Sequence, residues 1–195
     1  MTSVIISYIQ ANWIEIVGSV LSLVYLYLSV HQKISLWLFG LLSAVFYVVI
    51  FYDSKFYADM SLQFYYVFVS IYGWVNWKKG KDKVSKLPVV ETPRKQYAYL
   101  IIASALIFIA YYFLLVNYTD SPLPKADSLT TALSIVATWM LAKKYIEYWL
   151  VFIFVDAFSA GLYFYKDLYP TAVLFIIYTV MAIVGYVEWK KDLVK

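Results

Sequence analysis

The stretch IYGWVNWKK at residues 71–79 returns as IVGYVEWKK at residues 183–191, an offset of 112 positions. The same offset holds without a gap back to Glu15 over Asp127. It matches Leu21 with Leu133, Ser22 with Ser134, Val24 with Val136, Ile34 with Ile146, Trp37 with Trp149, Phe46 with Phe158, Tyr57 with Tyr169, Tyr66 with Tyr178 and Gly73 with Gly185. Self-similarity at one fixed spacing marks a duplicated structural unit.

Composition says what the unit is made of. The chain has 195 residues, of which 64% are apolar and 14% charged, with mean hydropathy +0.72. A soluble domain carries roughly 25% charged residues, so this is expected to be an all-α integral membrane protein. Seven apolar runs have the length that a bilayer core demands. They cover about Ile14–Val30, Ile34–Tyr52, Phe56–Trp77, Tyr97–Val116, Ser128–Ala142, Ile146–Tyr165 and Leu168–Trp189. Barrel strands would alternate over about ten residues, whereas these runs are longer and continuously apolar.

The 112 offset lays spans one to three over spans five to seven. Residues 1–79 form the first three-helix repeat, 80–126 a basic linker and a linking fourth helix, and 127–195 the second repeat. With one linking span the second repeat enters the membrane in the same direction as the first, so the repeats are parallel, the 3+1+3 plan of the SWEET sugar facilitators. Binding sites in such carriers lie near the midplane between the repeats. All but Lys55, Lys125 and Lys166 of the 16 Lys and Arg fall on one side of this topology. The positive-inside rule then sets the N-terminus outside and the C-terminus inside. Residues Met1 to Asn12 lack the basic region of a signal peptide.

Several classes drop out. There is no Cys and only one His, so thiolate metal sites, His-based metal sites and Ser/His/Asp chemistry have no material, and no metal or cofactor is expected. Neither GxxxxGK[ST] nor HExxH occurs, and Arg94, the only Arg, lies in a linker. An ATP-driven pump, an intramembrane metalloprotease and a voltage sensor are therefore not expected, nor is an enzyme. The net charge of +4 resides in short connections and is no nucleic-acid signature.

The candidate site starts from EYWLVFIFVDAFSAGLYFY, residues 147–165, a span with a carboxylate near its middle. An ionisable group at that depth is a functional-site hypothesis by default. Trp149, Phe152, Asp156, Ser159 and Tyr163 share one helical face, a stripe suited to a flat cation: two aromatic walls and one negative charge. Gln63 and Tyr66 on span three, Thr131, Ser134 and Thr138 on span five, Tyr178 on span seven and Trp37, the repeat partner of Trp149, complete the expected substrate-binding set. Blander roles go to other residues. Trp13, Trp74, Trp77 and Trp189 are expected to anchor at membrane interfaces, Asp59 to cap or gate, His31 to be solvated, and Glu147 to pair with Lys143 or Lys144.

From Trp13 to Lys191 the chain resembles the PnuC family of bacterial vitamin transporters. The resemblance is carried by FYADMSLQFYYVFVSIYGWVNW (56–77), LTTALSIVATWMLAKKYIEYWL (129–150) and LYFYKDLYPTAVLFIIYTVMAIVGY (162–186). It implies a SWEET-like fold and a facilitator in the bacterial cytoplasmic (inner) membrane whose substrate is trapped by a cytoplasmic vitamin kinase. Members similar to nicotinamide riboside carriers have a sixth-span motif WxxWxxx[N/D]. Here Trp149 and Asp156 match it and Phe152 replaces the second Trp. That change and the YKDLYPTA stretch look more like the thiamine branch, often called PnuT. The expected function is thus import of a cationic vitamin by alternating access, thiamine slightly favoured and nicotinamide riboside the alternative. The ring would stack on Trp149 and Phe152, Asp156 would balance the charge, and Gln63, Thr131 and Ser134 would read the polar edge. Ion coupling through Asp156, a sugar facilitator and a non-transporting sensor are the other readings weighed.

Overall fold

The computed structural model of the chain describes residues 17, 20–53, 57–79 and 87–194. The start of the first expected span, with Trp13, Glu15 and Ser19, the side chain of Asp59, and the linker lysines Lys81, Lys83 and Lys86 lie outside what is described. Among the described residues there are seven helices: α1 Val20–Val30, then α2 Leu36–Asp53, α3 Tyr57–Lys79, α4 Arg94–Tyr118, α5 Pro124–Ala142, α6 Tyr148–Tyr165 and α7 Tyr169–Lys191. By length and composition α4, α6 and α7 are apolar enough to cross a membrane. α5 begins four residues before the expected Ser128. Pro124 opens it, where a missing N–H costs nothing, and Asp127 in its first turn complements the helix dipole.

Helix limits recur at the spacing of the sequence repeat. α2 and α6 both start and end at positions 112 apart, as do α3 and α7, and α1 and α5 end at Val30 and Ala142. The turns that follow α1 and α5 close alike. Gln32 and Lys144 adopt left-handed backbone, at φ 52° and 56°. Each donates its N–H three residues back, to Ser29 and Leu141, and the next N–H reaches five back, from Lys33 to Leu28 at 2.8 Å and from Tyr145 to Met140 at 3.1 Å. This Schellman closure satisfies the last helical carbonyls. A side chain in the left-handed region costs about 1 kcal/mol, so the turn geometry is held in place by its surroundings.

The chain divides into two compact units, Met1–Ile71 and Tyr72–Lys195, with the division inside α3. In the first, Gly40 of α2 makes room for its neighbours: a Cβ there would stand 3.1 Å from Ser70 Oγ and 3.3 Å from the Tyr25 ring. In the second, helices pack in chain order, α4 on α5, α5 on α6 and, most extensively, α6 on α7. α4 buries no residue, so it forms the rim of this unit.

At one end of the second unit the linker runs extended between two other segments. The N–H of Val90 donates to Lys144 O at 3.1 Å, that of Ile146 to Val90 O at 3.0 Å, and that of Val194 to Val89 O at 3.0 Å. Glu147 fastens this strap: its carboxylate accepts from Thr92 N–H at 2.9 Å, Thr92 Oγ1 at 2.7 Å and Tyr97 Oη at 3.2 Å. The expected Glu147–lysine pair is thereby corrected. Its oxygens are taken by Thr92 and Tyr97, while Lys144, turned by its left-handed backbone, sits over Trp77 at 4.5 Å and Trp189 at 5.9 Å. Trp77 and Trp189, expected as interface anchors, are buried and packed 6.2 Å apart at the ends of α3 and α7. His31 is exposed, as expected, and shares a 2.9 Å contact with Tyr27 O. Replacing Glu147 by Gln is expected to cost about 1.5–3 kcal/mol, the range for hydrogen bonds to a charged group. A lower thermal midpoint and faster hydrogen exchange at residues 88–92 would show it.

Candidate functional site

α6 is apolar on all sides except one. Leu150, Phe154, Phe164 and Tyr165 are exposed, while on the opposite stripe Trp149, Asp156 and Ser159 are buried and Phe152 and Tyr163 half-buried. The 3.6-residue period that spaces them also aims them together, at the faces where α5 and α7 pack.

Asp156 is 7% exposed. Among the described residues its carboxylate has no hydrogen bond and no cation. An uncompensated buried charge costs several kcal/mol, which a well-packed apolar side chain would avoid.

Trp149, two turns back, is held as a fixed wall. Its ring lies 4.4 Å from Tyr148 and edge-on to Trp189 at 5.8 Å. A Cβ built on Gly185 of α7 would fall inside the indole, so only glycine lets α7 come this close. The Trp149 Nε1–H is buried without an acceptor among the described residues. At 1% exposure the ring is enclosed in this conformation, and the open aromatic surface beside Asp156 is that of Phe152, whose ring meets Tyr148 edge-on at 6.1 Å.

The other expected residues of this unit lie on the flanking helices. Thr131 and Ser134 of α5 are half-buried. Thr138 is buried, and its hydroxyl donates to Ser134 O at 2.7 Å, a back-bond to its own helix. Tyr178 of α7 packs at 5.3 Å on Phe175, which stands 5.0 Å from Tyr163, so an aromatic column joins α6 to Tyr178. Trp37 on α2, buried, and Gln63 and Tyr66 on α3, half-buried, belong to the first unit. There the Tyr66 ring meets that of Tyr65 at a tilt, 5.6 Å apart.

Two residues of this region were not anticipated as parts of it, Gly185 and Lys144. Gly185 had left a signal, its match to Gly73 across the repeat. At the far end of α6, Lys166 pairs with Asp127 at 3.1 Å, and Ser121 Oγ donates to the same carboxylate at 2.6 Å, tying the α6–α7 turn to the start of α5. Among the described residues no group of three His, Asp or Glu could hold a metal ion.

Residues 12–191 match the family described as nicotinamide mononucleotide transporter. The chain is 27% identical to the nicotinamide riboside transporter PnuC of Escherichia coli K12, over 91% of this chain and 85% of the relative. It is 26% identical to that of Neisseria mucosa, over 92% and 73%. It is also 26% identical to the riboflavin/roseoflavin transporter RibM of Streptomyces davaonensis, over 91% and 84%. The crystal structure of the vitamin B3 transporter PnuC superposes with a TM-score of 0.72 at 25% identity, over 97% of this chain and 85% of that one.

Proposed function

Since the chain belongs to the nicotinamide mononucleotide transporter family and is a multi-pass protein of the bacterial inner membrane, we propose that it carries nicotinamide riboside. This substrate is a flat pyridinium cation with a hydroxylated ribose. The observation that carries the reading is Asp156, a buried carboxylate without a partner among the described residues, on the stripe it shares with two aromatic rings. A cation entering that stripe supplies the missing counter-charge, and its ring stacks on Phe152. Trp149 backs the stripe, and Thr131 and Ser134 of α5 offer hydroxyls to the ribose. The relatives named for nicotinamide riboside favour this substrate over thiamine. Thiamine is the second reading, on the strength of Phe152: a smaller ring than the Trp of the nicotinamide riboside motif suits a differently shaped heterocycle.

The transport cycle is alternating access in a 3+1+3 parallel-repeat carrier, N-terminus outside. The helix limits 112 residues apart and the one-sided lysines support this plan. Accumulation comes from phosphorylation by a separate cytoplasmic kinase. Purified protein in vesicles without a kinase should therefore equilibrate nicotinamide riboside and stop. Uphill uptake driven by a proton gradient would overturn the facilitator mechanism and make Asp156 the proton carrier.

A further inference from the structure

A groove of about 520 Å³ opens between α4, α5 and α6, on the rim of the second unit. It is walled by Ser104, Ala105 and Phe108 of α4, Leu129 and Leu133 of α5, and Phe158 of α6, with Lys125 at its end. Its lining is almost wholly apolar, and it faces outward beside a helix that buries nothing, away from Asp156. From Lys125 to Leu133 the groove runs about 12 Å along α5 at 1.5 Å per residue. That depth is close to one leaflet of a hydrocarbon core about 30 Å thick.

Lys125 lies one residue inside α5, just before the apolar run expected to span the membrane from Ser128. It is exposed and has no ion pair among the described residues. Its acidic neighbour Asp127 is occupied by Lys166 and Ser121. An apolar trough one leaflet deep, capped by a free ammonium at headgroup level, has the chemistry of a phospholipid: hydrocarbon below and an anionic phosphate above. We infer that this groove holds one acyl chain of an anionic membrane phospholipid, with Lys125 on its phosphate. The lipid is a lateral buttress between α4 and α5, and it is separate from the substrate.

Delipidated full-length protein titrated with phosphatidylglycerol and with phosphatidylcholine, with bound lipids counted by native mass spectrometry, tests this. One phosphatidylglycerol should be retained about fivefold better than phosphatidylcholine, the effect of one basic residue near an anionic surface. Lys125→Gln should remove that preference, and Ala105→Trp, filling the groove from its exposed side, should lower retention of both lipids. Unchanged phosphatidylglycerol retention in Lys125→Gln overturns the inference, and that surface variant decides the matter even where the tryptophan variant does not fold. A dimer dissolved by Ala105→Trp, with lipid retention unaltered, would overturn it in favour of a second copy of the chain.

Discussion

Replacing Asp156 by Asn is expected to abolish uptake of a cationic vitamin while leaving the protein folded. Asn keeps the shape of Asp and removes only the charge. In the substrate-free protein that charge has no partner among the described residues, so its loss relieves an unfavourable burial and should leave stability unchanged or raise it. In the loaded protein the same change leaves the substrate cation desolvated without a counter-ion, a loss of about 2–5 kcal/mol. Affinity should fall roughly 30-fold or more, at 1.4 kcal/mol per decade. Calorimetry of the purified variant with nicotinamide riboside, beside its thermal midpoint, reads both halves. A variant that binds normally removes Asp156 from the site, and one that unfolds makes it structural. A sugar substrate, having no charge to balance, would be nearly indifferent to the change.

Gly185→Ala is the second large effect. The added methyl would occupy the space of the Trp149 indole, which is closed in by Tyr148 and Trp189 and has nowhere to go. Overpacking of this kind costs about 1–3 kcal/mol, occasionally more. Both thermal stability and transport should fall, because the displaced indole belongs to the wall behind Phe152 and Asp156. Trp149→Leu in the same chain should restore stability but not transport. Recovery of both would reduce Trp149 to a packing residue.

Much of this was legible in the sequence because its signals were periodic. The 112 offset, read from IYGWVNWKK and IVGYVEWKK, meets helix limits that agree with it residue for residue from Leu36 and Tyr148 onward. The α6 stripe was legible because one helical period fixes which side chains share a face. Contacts between segments distant in sequence left no such trace. Helical spacing points Glu147 at lysines one turn away, whereas its partner Thr92 stands 55 residues back on the strap. Trp77 and Trp189 read in the sequence as the ends of apolar runs, and their mutual contact leaves no trace there. They pack on each other, and Lys144, in a left-handed turn, lies over both rings; no local pattern announces that turn.

The repeat also shows where the two halves part. Position 156 is Ala44 in the first half, and both are buried. Phe152 corresponds to Gly40, and Ala137 to Tyr25. In the first half a tyrosine from α1 lies against the glycine of α2; in the second the bulk stands on α6 itself, one turn from the carboxylate. A near volume-conserving exchange thus places an aromatic ring beside the charge in one half only, and an asymmetric ligand requires such a difference.

The central claim is that this chain binds a flat cationic vitamin, nicotinamide riboside first. Side-by-side calorimetric titration of the purified protein with nicotinamide riboside, thiamine and riboflavin tests it most directly. Tightest binding of nicotinamide riboside, weaker binding of thiamine and no measurable binding of uncharged riboflavin is the predicted order; riboflavin binding at least as tightly as either cation would contradict the account.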